Sequence, residues 1–467
     1  MSTSRTRIGA LWTEALSPGA WIIALLAIVS GVIVVAMPVR RAPGLELWMF
    51  SPEHANMYKP ATEAWQKQTG EPVNISVFGI PALARRVMGG FFAGIETADL
   101  VECERQMVGP MFSGPLDSVG FVDLTDRIKA EGLLERINPP SFTPWTSCRA
   151  DASACRTTST RCCSRTGRTS SRAAGIDMST VETWADFERV LRPLMADKNG
   201  DGQPDRYLLG FWETHMDNLE VLLLGETGRL FDADGRCVMA QERNAEIVAE
   251  VLSWCLGEWR FCADINEWTN AGHAQTIDAY ALAFLMPDWM CGIWMEQMPQ
   301  LSGKVKLMPM PAFEPGGRRT SVRGGSMMGI PKTARDVDAA WAFSRDLYLS
   351  PDLARRLFET NGIITPVREH WSNPVFDEPR PFFSGQATGR LYIEQAPNVP
   401  PRPASPYYRT ALLRLQDAAV SVAEQARSKG LSSPKDLLPL ARKALEEAQA
   451  SVERQMDRNV FLAEDGR

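Results

Sequence analysis

The sequence predicts an α/β fold with two globular domains, each a sheet flanked by helices, on two observations. Short apolar runs alternate along the chain with amphipathic helical stretches, a pattern typical of parallel sheets with right-handed crossovers. The chain has 467 residues, of which 45% are apolar and 23% charged, enough for two hydrophobic cores. Because ligands of parallel sheets bind beyond the carboxyl ends of the strands, residues that end a strand are the first site candidates.

The N-terminal segment, residues 1–43, is predicted to target the chain to a membrane. The run from Trp21 to Met37 carries no charge and follows Arg5 and Arg7. Its length is at the lower limit for a membrane-spanning helix and overlaps the longest signal-peptide cores. No convincing cleavage site and no lipid-accepting Cys follows, which favours an uncleaved signal anchor over a cleaved signal peptide. In either case the remaining chain is expected to be exported.

Three candidate binding residues fall near the ends of the first predicted strands. The strands are the runs Leu45–Phe50, Val73–Phe78 and Ala98–Cys103. A helix is expected from about residue 57 to 69. Trp48, His54 and Glu102 then lie at the carboxyl ends, and we predict that they contact a ligand.

Later in the chain, aromatic residues again stand beside polar ones where strands end. The run Leu208–Glu213 ends in Trp212 and Glu213, with His215 nearby, and Asp288 and Trp289 end the run that begins at Tyr280. An indole face stacks on a sugar ring, while a carboxylate pairs with sugar hydroxyls. The alternative for each Trp is a core position. Glu267 and Trp268 form a weaker pair of the same kind.

Arg323, Gly324, Gly325 and Ser326 form a further candidate. Arginine supplies a fork of hydrogen-bond donors, and glycines let the backbone approach a ligand closely. We predict that Arg323 and Gly325 contact the ligand.

The loop from Asp197 to Asp205 resembles a calcium-binding loop. Asp197, Asn199, Asp201 and Asp205 occupy loop positions 1, 3, 5 and 9, and Gly202 occupies position 6. The bidentate Glu expected at position 12 is absent, because Leu208 stands there. The loop is therefore a structural calcium site or an Asp/Gly turn, and no other cofactor is required.

The segment from residue 148 to 172 differs from the rest of the chain. It reads CRADASACRTTSTRCCSRTGRTSSR, which has neither strand nor helix periodicity. If Ser is encoded by TCN and Arg by CGN, codons shifted by one frame, with the free first bases chosen, can give PRGRIGLPHDVHPVLLAYRADVF. This string contains an apolar strand, so we interpret the segment as out of frame. A basic loop and a cysteine cluster are the alternatives. Made as written, the chain is expected to lose a strand here.

Nine cysteines are present, and nine is an odd number. Four of them lie in the segment 148–172. The other five stand in apolar contexts and are expected to be buried thiols: Cys103, Cys237, Cys255, Cys262 and Cys291.

Composition and motifs favour binding over catalysis. The net charge of -6 is unsuited to a nucleic-acid partner, which requires a basic face. The sequence contains no H-E-x-x-H, G-x-S-x-G, Walker loop or dinucleotide fingerprint. We therefore expect that the chain is not an enzyme.

The order of these features resembles the family 1 extracellular solute-binding proteins, the carbohydrate receptors of ABC importers. The resemblance rests on LWMFSPEHANMYKPATEAWQKQTG, on ADLVECE, and on RRTSVRGGSMMGIPK followed by a helix. It covers nearly everything from Leu45 onward, apart from residues 148–172. In this family the position of Asp288 and Trp289 often holds a Gly-x-Trp that faces the ligand.

The resemblance implies a two-lobed periplasmic-binding-protein-like fold of type II, with the ligand in a cleft between the lobes. By analogy the chain crosses between lobes near Pro144, Pro287 and Gly324. Lobe 1 would comprise residues 44–143 plus 287–323, and lobe 2 residues 144–286 plus 324–467. A C-terminal helix over residues 437–455 is expected to pack on lobe 2.

The resemblance also implies a function. The protein would be a monomeric periplasmic or extracytoplasmic receptor, tethered to the membrane or secreted, that delivers a carbohydrate or similar polyol to an ABC permease. A ligand-sensing module that signals to a membrane partner without transport is the alternative.

Overall fold

The computed structural model describes residues 17–36, 42–112, 119–142, 160–164, 177–197, 199–213, 215–258, 260–403 and 405–459. These belong to two units, Met1–Gly44 and Leu45–Arg467. The first unit contains helix α1 (Pro18–Ala36). Over the described ranges, no helix combines the length and the apolarity needed to cross a membrane.

The second unit contains two sheets. Its strands are β1 (Leu45–Met49), β2 (Val73–Val77), β3 (Leu100–Glu104), β4 (Thr160–Ser164), β5 (Tyr207–Gly210), β6 (Cys262–Ala263), β7 (Ala281–Pro287), β8 (Lys306–Met308) and β9 (Ser326–Gly329). The first sheet has the order β2-β1-β3-β9, and the second has the order β6-β5-β7-β4-β8. Strands β1, β2 and β3 are parallel, as are β5, β6 and β7, whereas β9 and β4 pair antiparallel to their neighbours.

Helices connect and cover these strands. They are α2 (Pro52–Thr69), α3 (Ile80–Ala93), α4 (Arg105–Val108), α5 (Thr125–Ala130), α6 (Leu133–Arg136), α7 (Pro139–Phe142), α8 (Trp184–Leu191), α9 (Met216–Gly225), α10 (Glu242–Ser253), α11 (Asn270–Ile277), α12 (Met290–Gln297), α13 (Val337–Tyr348), α14 (Pro351–Asn361), α15 (Thr388–Gln395), α16 (Tyr408–Lys429) and α17 (Pro434–Asp457). The alternation of strands and helices confirms the predicted α/β class.

Local sequence sets the ends of α2. The Ser51 side chain accepts a hydrogen bond from the His54 amide and Pro52 occupies the first turn, both of which favour a helix start. Gly70 ends the helix with a φ of 80°, a conformation that costs glycine little. The helix therefore begins earlier than the sequence analysis predicted, directly after β1.

Sheet membership corrects the predicted lobe ranges. Strand β8 was assigned to lobe 1 within 287–323, but it pairs with β4 in the second sheet. Strand β9 was assigned to lobe 2 within 324–467, but it pairs with β3 in the first sheet. The chain therefore stays with the second sheet past Pro287, because helix α12 returns it to the same sheet. The predicted crossing near Gly324 agrees with the step from β8 to β9, and Pro144 lies outside the described residues.

A further passage between the two cores follows helix α14. Leu353, Leu357 and Ile363 lie in the core of the first sheet. Phe358 and Ile364 lie in a core of the second sheet. One short segment thus contributes to both cores, and the sequence analysis did not predict it.

Strand β4 corrects the expectation that a strand is lost when the chain is made as written. It lies between β7 and β8 and pairs with both. Main-chain pairing does not depend on side-chain identity, and unpaired edges of β7 and β8 would leave polar groups unsatisfied. The rest of the segment 148–172 lies outside the described residues, so the out-of-frame interpretation stays a prediction.

The C-terminal helices cover the second sheet. Leu437, Ala441 and Leu445 of α17 lie in the same hydrophobic cluster as Leu208 and Leu209 of β5. The predicted packing of this helix on the second lobe is therefore confirmed.

Candidate functional site

The carboxyl ends of β5, β6 and β7 bring several aromatic and charged residues to one edge of the second sheet. β5 pairs in parallel with both β6 and β7, so the loops that follow these strands leave at the same edge. These loops carry Trp212, Glu267, Trp268 and Trp289. The chain segment that leads into β9 brings Arg323 to the same place.

Trp268 and Trp289 form what we call the indole platform. Their rings are nearly parallel, with centroids 5.8 Å apart and an angle of 8° between planes. Trp268 is 48% exposed. It therefore has an accessible apolar face of a kind that can stack on a flat ligand.

The polar side of the indole platform is formed by Arg323 and Glu267. The two side chains form an ion pair, and the guanidinium carbon of Arg323 lies 5.9 Å from the centroid of the Trp289 ring. The Trp289 indole N–H donates to the carbonyl of Arg323 at 3.3 Å. Donors and a carboxylate thus stand beside the stacked rings, where they could bind hydroxyl groups of a ligand.

A second aromatic pair lies nearby. The rings of Trp212 and His215 stack with centroids 4.5 Å apart. Burial lowers the pKa of His215, and the charges of Asp217, Arg323 and Glu267 also act on it. The imidazole therefore lies near the polar side of the platform and is neutral at pH 7.

A buried group of charges joins the two sheets. We call it the interlobe network, and its members are Arg105, Asp217, Glu220, Arg402 and Tyr408. Arg105 follows β3 of the first sheet, whereas Asp217 and Glu220 lie on α9, which follows β5 of the second. The guanidinium of Arg105 donates to Glu220 at 2.7 Å and to Asp217 at 2.9 Å.

Other partners complete the interlobe network. The Tyr408 hydroxyl donates to Glu220 at 2.7 Å, and Nε of Arg402 lies 2.9 Å from a Glu220 oxygen. Although burial opposes ionisation, Arg105 and then Arg323 hold the pKa of Asp217 below its usual value. The charged form of Asp217 is therefore favoured, and its interaction with Arg323 links the network to the indole platform.

Gly324 and Gly325 allow the first sheet to approach this edge of the second. Their φ angles are 75° and 125°, in the region that favours glycine. A Cβ atom on Gly324 would lie 3.0 Å from the indole nitrogen of Trp289. The Gly325 carbonyl accepts the Arg105 amide at 3.0 Å, so Gly325 serves main-chain pairing here.

Two predicted ligand residues of the first sheet are buried instead. Trp48 is 6% exposed, and the guanidinium of Arg86 lies 4.6 Å from its ring. Glu102 is completely buried because it points to the same side of β3 as the core residue Leu100. Ligand contact by either residue is not compatible with this burial.

His54 lies with Glu102 rather than at the indole platform. Its Nδ1 atom is 3.1 Å from a Glu102 oxygen, and its side chain is 13% exposed. The Tyr58 hydroxyl donates to the same oxygen at 2.9 Å. A pocket nearby is lined by Tyr348.

Asp288 and Glu213 also differ from prediction. Asp288 is completely buried and accepts the amides of Trp289 and Ile364, each at 2.9 Å. Its role is therefore structural, at the passage after α14. Glu213 is 7% exposed and forms an ion pair with Arg427 of α16, away from the platform.

The Asp197–Asp205 loop is held by its own side chains. The Asp197 carboxylate accepts the amides of Gly200 and Gly202 at 2.6 and 3.0 Å. The Asn199 amide nitrogen donates to Asp201 at 3.1 Å. Among the described residues, no group of three or more His, Cys, Asp and Glu is arranged to hold a metal ion.

The site gathers some predicted residues and adds others. Trp289 and Arg323 lie beside each other, while Trp212 stacks on His215. Trp268 and Glu267 lie at this edge because they follow β6, a strand of only two residues that is hard to recognise from sequence. The interlobe network had no local signal, because Arg105 and Glu220 are 115 positions apart.

Comparison with known proteins gives a family and a fold. The profile described as "Bacterial extracellular solute-binding protein" matches residues 51–351. An arabinooligosaccharide-binding protein from Halalkalibacterium halodurans is 26% identical over 222 residues, which are 45% of this chain and 46% of that protein. The chain thus spans about half the length of the curated relatives it matches.

Two solved structures show the same two-lobed fold at low sequence identity. The sugar-binding protein MalE from the phytopathogen Xanthomonas citri has a TM-score of 0.70 and 16% identity, covering 89% of this chain and 99% of that one. A solute-binding protein from Thermotoga lettingae, bound with α-D-tagatose, has a TM-score of 0.67 and 14% identity, covering 87% and 100%. The fold is therefore that of the two-lobed ABC solute-binding proteins.

Proposed function

Since the chain belongs to the bacterial extracellular solute-binding protein family, we propose that it is the receptor of an ABC importer and binds a carbohydrate or similar polyol between its two sheets. The family is one of binding proteins, and its location is extracytoplasmic. On this proposal the chain has no catalytic role and acts as a monomer.

The indole platform is the observation that carries the proposal. A pyranose or furanose ring has an apolar C–H face and a rim of hydroxyl groups. Trp268 offers a half-exposed indole face, and the Arg323–Glu267 pair beside it offers donors and acceptors. This combination favours a neutral sugar over a purely apolar or a highly charged ligand.

The relatives indicate which sugars to test first. Two curated relatives are arabinooligosaccharide-binding proteins, so we propose a pentose-containing oligosaccharide as the leading candidate. The solved neighbours include proteins bound to maltotriose and to ribitol, which makes maltooligosaccharides and pentitols the natural comparison set.

The proposed mechanism is closure of the two lobes around the sugar. A ligand that contacts both sheets binds the closed arrangement more tightly than an open one, and this difference shifts the population toward closure. The interlobe network lies beside the platform and joins the same two sheets. The permease would then recognise the closed form.

Titration calorimetry with arabinooligosaccharides, maltooligosaccharides and ribitol tests the proposal. We expect saturable binding of at least one sugar and a rise in melting temperature at saturating ligand. Trp268→Ala should weaken that binding by up to about tenfold, because a stacked aromatic contact contributes about 0.5 to 1.5 kcal/mol. Phe92→Ala, which removes an aromatic side chain that is 84% exposed elsewhere, is the matched control and should bind normally. Equal affinity of both variants would contradict the assignment of the platform.

Two further expectations accompany this proposal. The N-terminal tether is supported by the charge-free run from Trp21 to Met37, and detergent extraction of the protein from membranes would test it.

A structural calcium ion at the Asp197–Asp205 loop is supported by its oxygen-bearing side chains. Calcium should then raise the melting temperature, and Asp201→Ala should abolish that rise.

A further inference from the structure

Two cysteines of the second sheet lie next to each other in its core. Cys255 follows helix α10, and Cys262 begins strand β6. The two residues are 4% and 1% exposed and belong to the same hydrophobic cluster. Both are free thiols in this structure.

A main-chain hydrogen bond fixes the spacing between them. The Cys262 amide donates to the carbonyl of Trp254 at 3.1 Å, and a planar peptide links this carbonyl to Cys255. Covalent geometry therefore keeps the two α-carbons within roughly 7 Å of each other. Disulfide bonds join α-carbons that are about 4.4 to 6.8 Å apart, so a bond requires only a small adjustment.

The two side chains also lie among the same group of buried apolar residues. Burial, followed by a hydrogen bond with the Cys262 thiol, raises the pKa of Cys255 well above its usual value. Cys291, in contrast, has the hydroxyl of Tyr392 as its neighbour at 3.4 Å. Cys255 and Cys262, by comparison, are held close together by the main-chain hydrogen bond between Cys262 and Trp254.

We propose that Cys255 and Cys262 form a disulfide bond in the exported protein. The proposal rests on the extracytoplasmic location of the family, since disulfides persist in oxidising compartments. It does not depend on which ligand the protein binds.

The oxidant is a protein disulfide of the oxidising compartment. One cysteine thiolate attacks that disulfide and forms a mixed disulfide, and the second thiolate then displaces the carrier. Two protons leave the cysteines, and two electrons reduce the carrier disulfide to two thiols. Because buried thiols with raised pKa react slowly, the exchange takes place before α10 and β6 pack together.

The bond would anchor the strand that leads to the indole platform. Strand β6 has only two residues and is held by parallel pairing with β5. The chain continues from β6 to Glu267 and Trp268. A covalent link from β6 to the end of α10 therefore fixes the base of the segment that carries the exposed indole.

Peptide mapping of the full chain exported to an oxidising compartment tests the proposal. Free thiols are blocked with iodoacetamide in denaturant, and the protein is digested without reduction by trypsin and Asp-N. Cleavage after Arg260 and before Asp264 separates Cys262 from both Cys255 and Cys291. We expect the peptide 261–263 to be linked to the peptide 244–260. Alkylation of both cysteines, or a link from either one to another cysteine, would overturn the proposal.

Thermal unfolding with and without reductant gives a second readout. Reduction should lower the melting temperature of the wild-type protein by a few degrees, because it removes a constraint on the unfolded chain. Cys255→Ala should lose this response. Cys237→Ala, which changes another buried cysteine that is 6% exposed, should keep it. An unchanged response in Cys255→Ala counts against the bond, and the wild-type peptide map decides the question if that variant does not fold.

Discussion

Replacing Arg105 with methionine should destabilise the protein more than the loss of any surface ion pair. The Arg105 side chain is 5% exposed, and its partners Glu220 and Asp217 are 1% and 16% exposed. Arg105→Met keeps most of the apolar stem but removes the positive charge. Two carboxylates of the second lobe then lose their partner from the first.

The expected loss of unfolding free energy depends on the partners that Glu220 keeps in the variant. Removing one partner of a buried ion pair typically costs about 3 to 5 kcal/mol. Glu220 keeps Arg402 at 2.9 Å and the Tyr408 hydroxyl at 2.7 Å, which offsets part of the loss. We therefore expect the lower limit, a loss of about 3 kcal/mol in the free energy of unfolding.

Urea unfolding followed by circular dichroism measures this loss. Arg127→Met is the control, because Arg127 and its partner Asp338 are 37% and 84% exposed, and such pairs contribute less than about 1 kcal/mol. Small-angle scattering of the ligand-free variant should also show a larger radius of gyration, since a contact between the lobes is gone. A loss no larger than that of Arg127→Met would refute the reasoning.

Three other outcomes are expected. Burial outweighs the attraction of Arg105 and raises the pKa of Glu104 from its usual value of about 4.5 to about 7. The folded protein therefore binds the extra proton between about pH 4.5 and 7, and this group lowers stability as pH rises through that window. The melting temperature of Glu104→Gln minus that of the wild type should therefore increase from pH 5 to pH 8. A difference that stays constant with pH would contradict this. Asp288→Asn should cost about 1 to 3 kcal/mol in urea unfolding, because the amide group cannot accept both main-chain N–H groups; a stable variant with lost sugar binding would instead favour the original ligand role. A chain carrying the shifted reading of residues 148–172 should melt several degrees higher than the chain as written, because β4 lies beside the fully buried strand β7 and the shifted reading places Pro-Val-Leu-Leu there. Equal melting temperatures, or coding DNA that cannot yield that reading, would argue against the frameshift.

The strands that the sequence revealed are those with clear apolar limits. Polar or turn residues bound the segments that form β1, β2, β3 and β7. These strands lie close to where they were predicted. β6 and β8 have two and three residues, too few for periodicity to be visible. The lobe ranges went wrong for a related reason, because a short β8 hid the return of the chain to the second sheet.

The sequence was sufficient to predict which residues lie at one edge of a sheet, but it could not predict which way their side chains point. Trp289 was proposed because it ends a strand and Arg323 because glycines follow it, and the two lie beside each other in the structure. Their contact with a ligand stays a prediction. Glu102 was placed at a strand end, but it lies in the middle of β3, which is buried on both faces. Alternation along a single strand does not reveal burial of both faces. Arg105 was missed because its partners are distant in sequence.

Helix α14 makes the two lobes depend on each other when the protein unfolds. Leu353 and Leu357 pack in one core, while Phe358 on the same helix packs in the other. Melting either core therefore removes the support of a helix that the remaining core still needs. A single cooperative transition is the expected consequence, even though the protein has two sheets. Because α14 contributes to both cores, a destabilising substitution in one lobe should increase the unfolding rate of both.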